Sequence, residues 1–101
     1  MEYLEAAQIG QIPPGTAKGF SLKNKELLLI NIDGKYYAVG KKCTHFGGDL
    51  SKGKLEGKVV TCPRHGSQFD VTTGKRLAGL AKKDLPVYEV KLEGDSIMIG
   101  V

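Results

Sequence analysis

The chain has 101 residues, enough for one domain with a modest core and too few for a second. Hydrophobic residues make up 41% and charged residues 26%, an ordinary globular balance. The net charge of +4 is carried by scattered lysines, with Arg64 and Arg76 the only arginines and no basic run longer than two residues. That pattern argues for a soluble surface with a mild positive field rather than a nucleic-acid-binding stripe.

Fourteen glycines, seven aromatics and no Trp favour many turns and short strands. The opening stretch, MEYLEAAQIGQIPPG, lacks the basic start and apolar run of a signal peptide, and YLEAAQI (3–9) predicts a weak first strand. ELLLINI (26–32) runs through Asp33-Gly34 into KYYAV (35–39), a hairpin with a favoured turn dipeptide. Its nearly continuous apolar run predicts a first strand buried on both faces. The longest apolar run, Leu27 to Ile30, falls far short of the ~20 residues of a membrane span, so an untethered cytoplasmic monomer is expected. GKVVTC (57–62) predicts another strand, and LAGLAKKDL (77–85) a short helical turn ended by Pro86. At the C-terminus Tyr88, Val90 and Leu92 alternate with charges, Gly94-Asp95 turns the chain, and Ile97, Ile99 and Val101 alternate on the way back. That is a second hairpin with one apolar face. The economical fold is all-β, an antiparallel sandwich or small barrel forming a single domain over 1–101.

Between the hairpins, over about residues 40–80, alternation thins and glycines accumulate. This part contains CTHFGGDL (43–50) and CPRHGSQFD (62–70), which hold both cysteines and both histidines of the chain. Each loop offers one thiolate and one imidazole, from Cys43 and His45 in the first and Cys62 and His65 in the second. In a reducing compartment such cysteines are ligands or redox groups rather than a structural disulfide. Three readings stay open: ordinary buried cysteines with polar histidines, a tetrahedral zinc site, and an iron–sulfur cluster in which histidines replace two cysteines.

The two loops resemble those of Rieske proteins, whose pattern is Cys-x-His, a variable spacer, then Cys-x-x-His. Glycines following the histidines and a proline after the second cysteine match as well. VTTGK (71–75) and DLPVYEVKLEGDSIMI (84–99) resemble the strands that close such domains. The resemblance implies one 2Fe-2S cluster in a smaller part formed by the two loops. Cys43 and Cys62 would bind the inner iron and His45 and His65 the outer one, where electrons would leave. It further implies a soluble one-electron carrier, not itself an enzyme. Such a carrier would pass electrons from a reductase to an oxygenase or other acceptor, with no nucleic-acid or membrane partner. The alternatives are a small cluster-bearing subunit of a larger oxidoreductase and a zinc-stabilised interaction module.

The departures from the family pattern are specific. Gly48 and Arg64 stand where respiratory Rieske subunits carry a bracing disulfide. Ser67 keeps a hydroxyl donor, Phe69 stands at a tyrosine position, and Gly79-Leu80-Ala81 replaces Gly-Pro-Ala. Neutral imidazoles make the oxidised cluster less negative, which raises its potential from about −400 mV to roughly −150 to +300 mV. Phe46, Leu50, Phe69 and Leu80 are expected to form an apolar shell, and Lys41, Lys42 and Arg64 a positive cluster tip.

Overall fold

The computed structural model describes residues 2–44, 47–64 and 66–101. Among them the strands run in the order β1 (Tyr3–Gln8), β2 (Thr16–Leu22), β3 (Lys25–Ile32), β4 (Lys35–Gly40), β5 (Lys54–Glu56), β6 (Val59–Thr61), β7 (Gln68–Asp70), β8 (Arg76–Ala78), β9 (Val87–Tyr88), β10 (Val90–Glu93) and β11 (Ser96–Gly100). The described helix is limited to two three-residue 3-10 turns, Ile9–Gln11 and Leu50–Lys52. No helix among the described residues is long and apolar enough to cross a membrane.

β3 organises the rest. Leu27, Leu28, Leu29 and Ile30 have no exposed surface. Successive strand side chains point to opposite faces. Leu28 and Ile30 therefore join one core with Val39, Val60 and Phe69, while Leu27 and Leu29 join another with Ala38, Ile97 and Ile99. Each of these aliphatic side chains contributes about 1.5–3 kcal/mol on burial. The two-faced burial expected of this run is what the structure shows.

Three antiparallel sheets result, with strand orders β1-β11-β10, β2-β3-β4-β9 and β5-β6-β7-β8. The sheet containing β3 is the middle layer, with the two chain ends on one side and the β5–β8 sheet on the other. The β3–β4 turn has both Asp33 (φ 51) and Gly34 (φ 88) left-handed, the geometry that favours Asp-Gly. β2 pairs with β3 through an equivalent turn, Lys23 (φ 48) and Asn24 (φ 63), which sequence reasoning did not single out.

Three expectations need correction. No helical turn forms at 77–85: Arg76–Ala78 pairs with β7, and the chain then bends through 79–86. VTTGK is a turn rather than a strand, held by the Asp70 carboxylate, which accepts from Thr72 N–H at 2.8 Å and Thr72 Oγ1 at 2.6 Å. The expected strand 88–93 divides at Glu89, with Val87–Tyr88 on β4 and Val90–Glu93 on β11. Leu92 is half exposed although it falls on the apolar period.

Candidate metal centre

The two cysteine loops share one backbone frame. Cys43 N–H donates to the Gly48 carbonyl at 2.7 Å, and Gly47 N–H donates to the Cys43 carbonyl at 3.0 Å. In the second loop Cys62 N–H donates to the Ser67 carbonyl at 2.8 Å, and Gly66 N–H donates to the Cys62 carbonyl at 3.1 Å. Both loops therefore close with the same offsets, five residues and four. The residue four after each cysteine has a positive φ, +65° at Gly47 and +77° at Gly66, which glycine adopts without steric cost. This equivalence is masked in the motif because the histidines sit at different offsets. His45, Phe46 and His65 lie outside the described residues, so the ligand and electron-exit assignments of the two histidines are not placed here.

Both cysteines are buried at 3% exposure, and neither is in a disulfide. They belong to the core formed with Leu50, Val60, Phe69, Val71, Ala81 and Leu85. The loops also touch each other. A Cβ placed on Gly48 would lie 2.7 Å from Cys62 Sγ and 3.3 Å from the aliphatic stem of Arg64. Gly48 and Arg64 are thus neighbours in space, as a pair of bracing positions must be. Gly48 is buried and Arg64 exposed. Two buried thiols, one pressed against backbone with no room for a methyl group, make a tight cradle of soft donors. That chemistry suits an iron–sulfur cluster.

A covering segment, residues 79–85, is tied to both loops. Thr44 Oγ1 donates to the Lys83 carbonyl at 2.7 Å, and Ala81 N–H donates to Ser67 Oγ at 3.1 Å. Ser67 is fully buried, and by accepting there it keeps its own hydroxyl proton for another acceptor. Gly79, at φ +95°, lies so close that a Cβ would sit 2.5 Å from Ser67 Cα. Leu85 N–H anchors the far end of the segment to the Gly74 carbonyl at 2.7 Å.

Of the expected apolar shell, Leu50 and Phe69 are buried beside the cysteines, at 1% and 0% exposure. Leu80 is not: it is 62% exposed, and Ala81 fills the inward position because its N–H is held by Ser67. The expected positive tip also changes. Lys41 bonds to Glu26 at 3.1 Å and lies 3.9 Å from Asp49, so its charge is locally compensated. The hydrogen bond from Lys41 is the main cause holding Glu26 below the usual carboxylate range. Asp49 is lowered too, chiefly by the Ser51 hydroxyl, and caps the Leu50–Lys52 turn by accepting from Ser51 N–H at 2.9 Å. Sequence reasoning named the Gly79-Leu80-Ala81 stretch but took Leu80 rather than Ala81 as its inward residue, and it missed Thr44, Lys82 and Lys83.

A family model described as the Rieske [2Fe-2S] domain matches residues 2–89. The ferredoxin component of a naphthalene 1,2-dioxygenase system from Pseudomonas aeruginosa is 37% identical over 100 residues, covering 99% of this chain and 96% of the relative. The solved ferredoxin of carbazole 1,9a-dioxygenase from Nocardioides aromaticivorans IC177 superposes with a TM-score of 0.93 at 25% identity, covering 98% of this chain and 97% of that one. A chain in a solved complex of reduced oxygenase and oxidized ferredoxin in carbazole 1,9a-dioxygenase gives 0.91 at 28% identity, covering 96% of this chain and 91% of that one. With two buried thiols in matched loops and a likeness that runs nearly end to end, the chain belongs to the Rieske [2Fe-2S] domain family, and its cofactor is one 2Fe-2S cluster rather than zinc.

Proposed function

We propose that the chain is a one-electron carrier that takes electrons from a reductase and delivers them to an oxygenase. Cys43 and Cys62 are assigned to the inner iron, and His45 and His65 to the outer iron and to the electron exit. When bound, the cluster supplies a single one-electron couple and no substrate chemistry. The chain is accordingly a cytoplasmic, single-domain, monomeric carrier rather than a catalyst.

The observation that carries this reading is the pair of equivalent loops, each presenting one buried cysteine to the same core. The near full-length likeness to ferredoxin components of dioxygenase systems supports the choice of partner. The chain's own residues have three tasks. Leu50, Phe69 and Ala81 keep water from the thiols on the protein side. Gly48 lets the first loop approach the Cys62 sulfur. Ser67 keeps a hydroxyl proton that can be donated toward sulfur, which favours the more negative reduced state. Phe69 has no such proton, so the midpoint is expected in the lower or middle part of the ~−150 to +300 mV range.

The test is an EPR spectrum of the dithionite-reduced protein together with the variants His45→Ser and His65→Ser. The wild type should give a Rieske-type signal, and each variant should lose it. An unchanged signal in either variant removes that histidine from the ligand set.

A further inference from the structure

Side-chain charge is separated across the middle sheet. The layer built from residues 2–8 and 89–101 exposes Glu2, Glu5, Glu89, Glu93 and Asp95 against one cation, Lys91. That is a net −4 in a chain whose formal total is +4, so the rest of the molecule carries +8. Lys23 reaches Glu2 from the β2–β3 turn, and counting it leaves the layer negative still. The cysteines lie on the opposite side of the middle sheet.

The loop end is the positive pole. Lys42, Arg64, Lys82 and Lys83 are exposed there, and among the described residues none pairs with a carboxylate. Of the acidic groups nearby, Asp49 is paired with Lys41, and Asp84, which accepts from the N–H of Arg76 at 2.8 Å, keeps its charge but is outnumbered by the four cations. Leu80 is 62% exposed and lines one shallow depression with Thr44, Lys82 and Lys83. The Thr44–Lys83 hydrogen bond fixes the lysines to the cysteine loop, so their charge stays with the metal centre.

We propose that this face, Leu80 flanked by Lys82 and Lys83 with Lys42 and Arg64 on the adjoining cysteine loops, docks an acidic surface of a redox-partner protein around a small apolar recess, and that the negative layer behind it turns the molecule loop-end first during approach. The inference rests on the electron-carrier reading and adds the chemistry of the partner. An acidic partner attracts the loop end and repels the opposite layer, so both poles act in the same rotational sense. Leu80 then supplies the short-range contact that the charges only steer toward. The field is screened within a Debye length of about 8 Å at physiological salt, so steering must weaken as salt rises.

Voltammetry of the cluster-loaded protein on gold tests this, with a carboxylate-terminated or an ammonium-terminated alkanethiol monolayer standing in for the partner. At neutral pH and low salt the carboxylate surface should give a faradaic response about ten-fold larger than the ammonium surface, which would bind the wrong pole. The double variant Lys82→Glu with Lys83→Glu should lose most of that response. Lys18→Glu with Lys35→Glu has the same net charge and should keep it. Equal responses on the two monolayers, or equal losses in the two double variants, would overturn the proposal. So would wild-type protein that sediments with phosphatidylglycerol vesicles but does not discriminate between the monolayers, because the face would then belong to a lipid surface. A chain without a Rieske EPR signal fails the carrier reading itself; a cluster-loaded chain that fails only on the monolayers leaves that reading intact.

Discussion

The first cysteine loop and the second have the same hydrogen-bond frame but different foundations. The Cys62 loop runs directly into β7, so Ser67 and Phe69 behind it are fully buried. The Cys43 loop runs into a three-residue 3-10 turn, and its return is secured by an isolated bridge between Lys42 and Asp49. Its outer support is polar: Asp49 on Ser51, Lys41 on Glu26, Thr44 on the Lys83 carbonyl. One loop continues into sheet, whereas the other, beyond Leu50 in the core, relies on a set of individual hydrogen bonds. Equal backbone geometry therefore does not imply equal tolerance to substitution.

The contact between the loops gives the largest predicted effect. In Gly48→Val the new side chain must occupy space now filled by Cys62 Sγ, 2.7 Å from the position of its Cβ. The loops have to separate, and cluster content should fall to a small fraction of wild type, read as iron per chain and visible absorbance. The fold itself should persist, because the middle sheet does not depend on this contact. A Gly48→Val protein with a full complement of iron would show that the loops do not bear on each other.

Next is the roof of the second loop. Gly79→Ala combines a left-handed backbone with a Cβ 2.5 Å from Ser67 Cα, so the segment must lift. A penalty of about 1–3 kcal/mol is expected from the strained conformation, seen as a lower denaturant midpoint. The matching substitution at Gly47, which has a positive φ but no described residue within 4 Å of its Cβ, should cost less. If Gly47→Ala is the more damaging, then the core behind the second loop is not the stiffer foundation.

Much of this was legible in the residues, and the limits have physical causes. β3 could be read because a short run of four large aliphatics leading into a turn dipeptide suits a strand covered on both faces, and the β3–β4 turn because Asp-Gly is a strong local signal. β2 could not: its turn is Lys23-Asn24, and Gly19 breaks its alternation because Lys41 and Ser51 lie where a side chain would go. Chemistry singled out the cysteines as a pair but left their role open, and Ser67 and Phe69 stood out only through the resemblance to Rieske loops. Leu80 and Lys41 were misjudged because adjacency in sequence does not fix direction. Ala81 points inward where Leu80 does not, and Lys41 turns toward Glu26. The link from Thr44 to Lys83 spans 39 residues and leaves no local trace.

Smaller effects separate the two ties of the covering segment. Thr44→Val removes a hydrogen bond to an exposed carbonyl that water can replace, so a loss of about 0.5–1.5 kcal/mol is the upper range. Its midpoint potential should move little. Ser67→Ala leaves the Ala81 N–H without its buried acceptor and also removes the hydroxyl proton, so it should destabilise more and lower the potential. Spectroelectrochemical titration and chemical denaturation of the two variants, side by side, give both readouts. A Thr44→Val protein with the larger potential shift would reverse the assignment of which tie reaches the metal centre.

The smallest expected effect concerns acid. Burial alone would push the Asp70 carboxyl up, but the hydrogen bonds from Thr72 and the charge of Lys58 at 3.5 Å outweigh it and hold the group below its usual range. Asp49 is depressed as well, first by the Ser51 hydroxyl. A carboxylate whose folded value lies below its unfolded value binds fewer protons when folded. Its stabilisation is therefore fully present above the unfolded value, about 3.9, and is lost as pH falls through the folded one. Asp49→Asn removes this stabilisation at the first loop and Asp70→Asn at the turn that follows β7. Each should lower stability at neutral pH and flatten its decline below about pH 4. The two should differ in what fails with them. Asp49 holds the return of the Cys43 loop, so its variant should also lose cluster earlier on acidification, whereas Asp70 supports the sheet side and should leave cluster loss tied to global unfolding. Parallel acid titrations followed by visible absorbance and far-UV circular dichroism measure both. Coincident transitions in the Asp49→Asn protein would mean that the first loop does not open on its own.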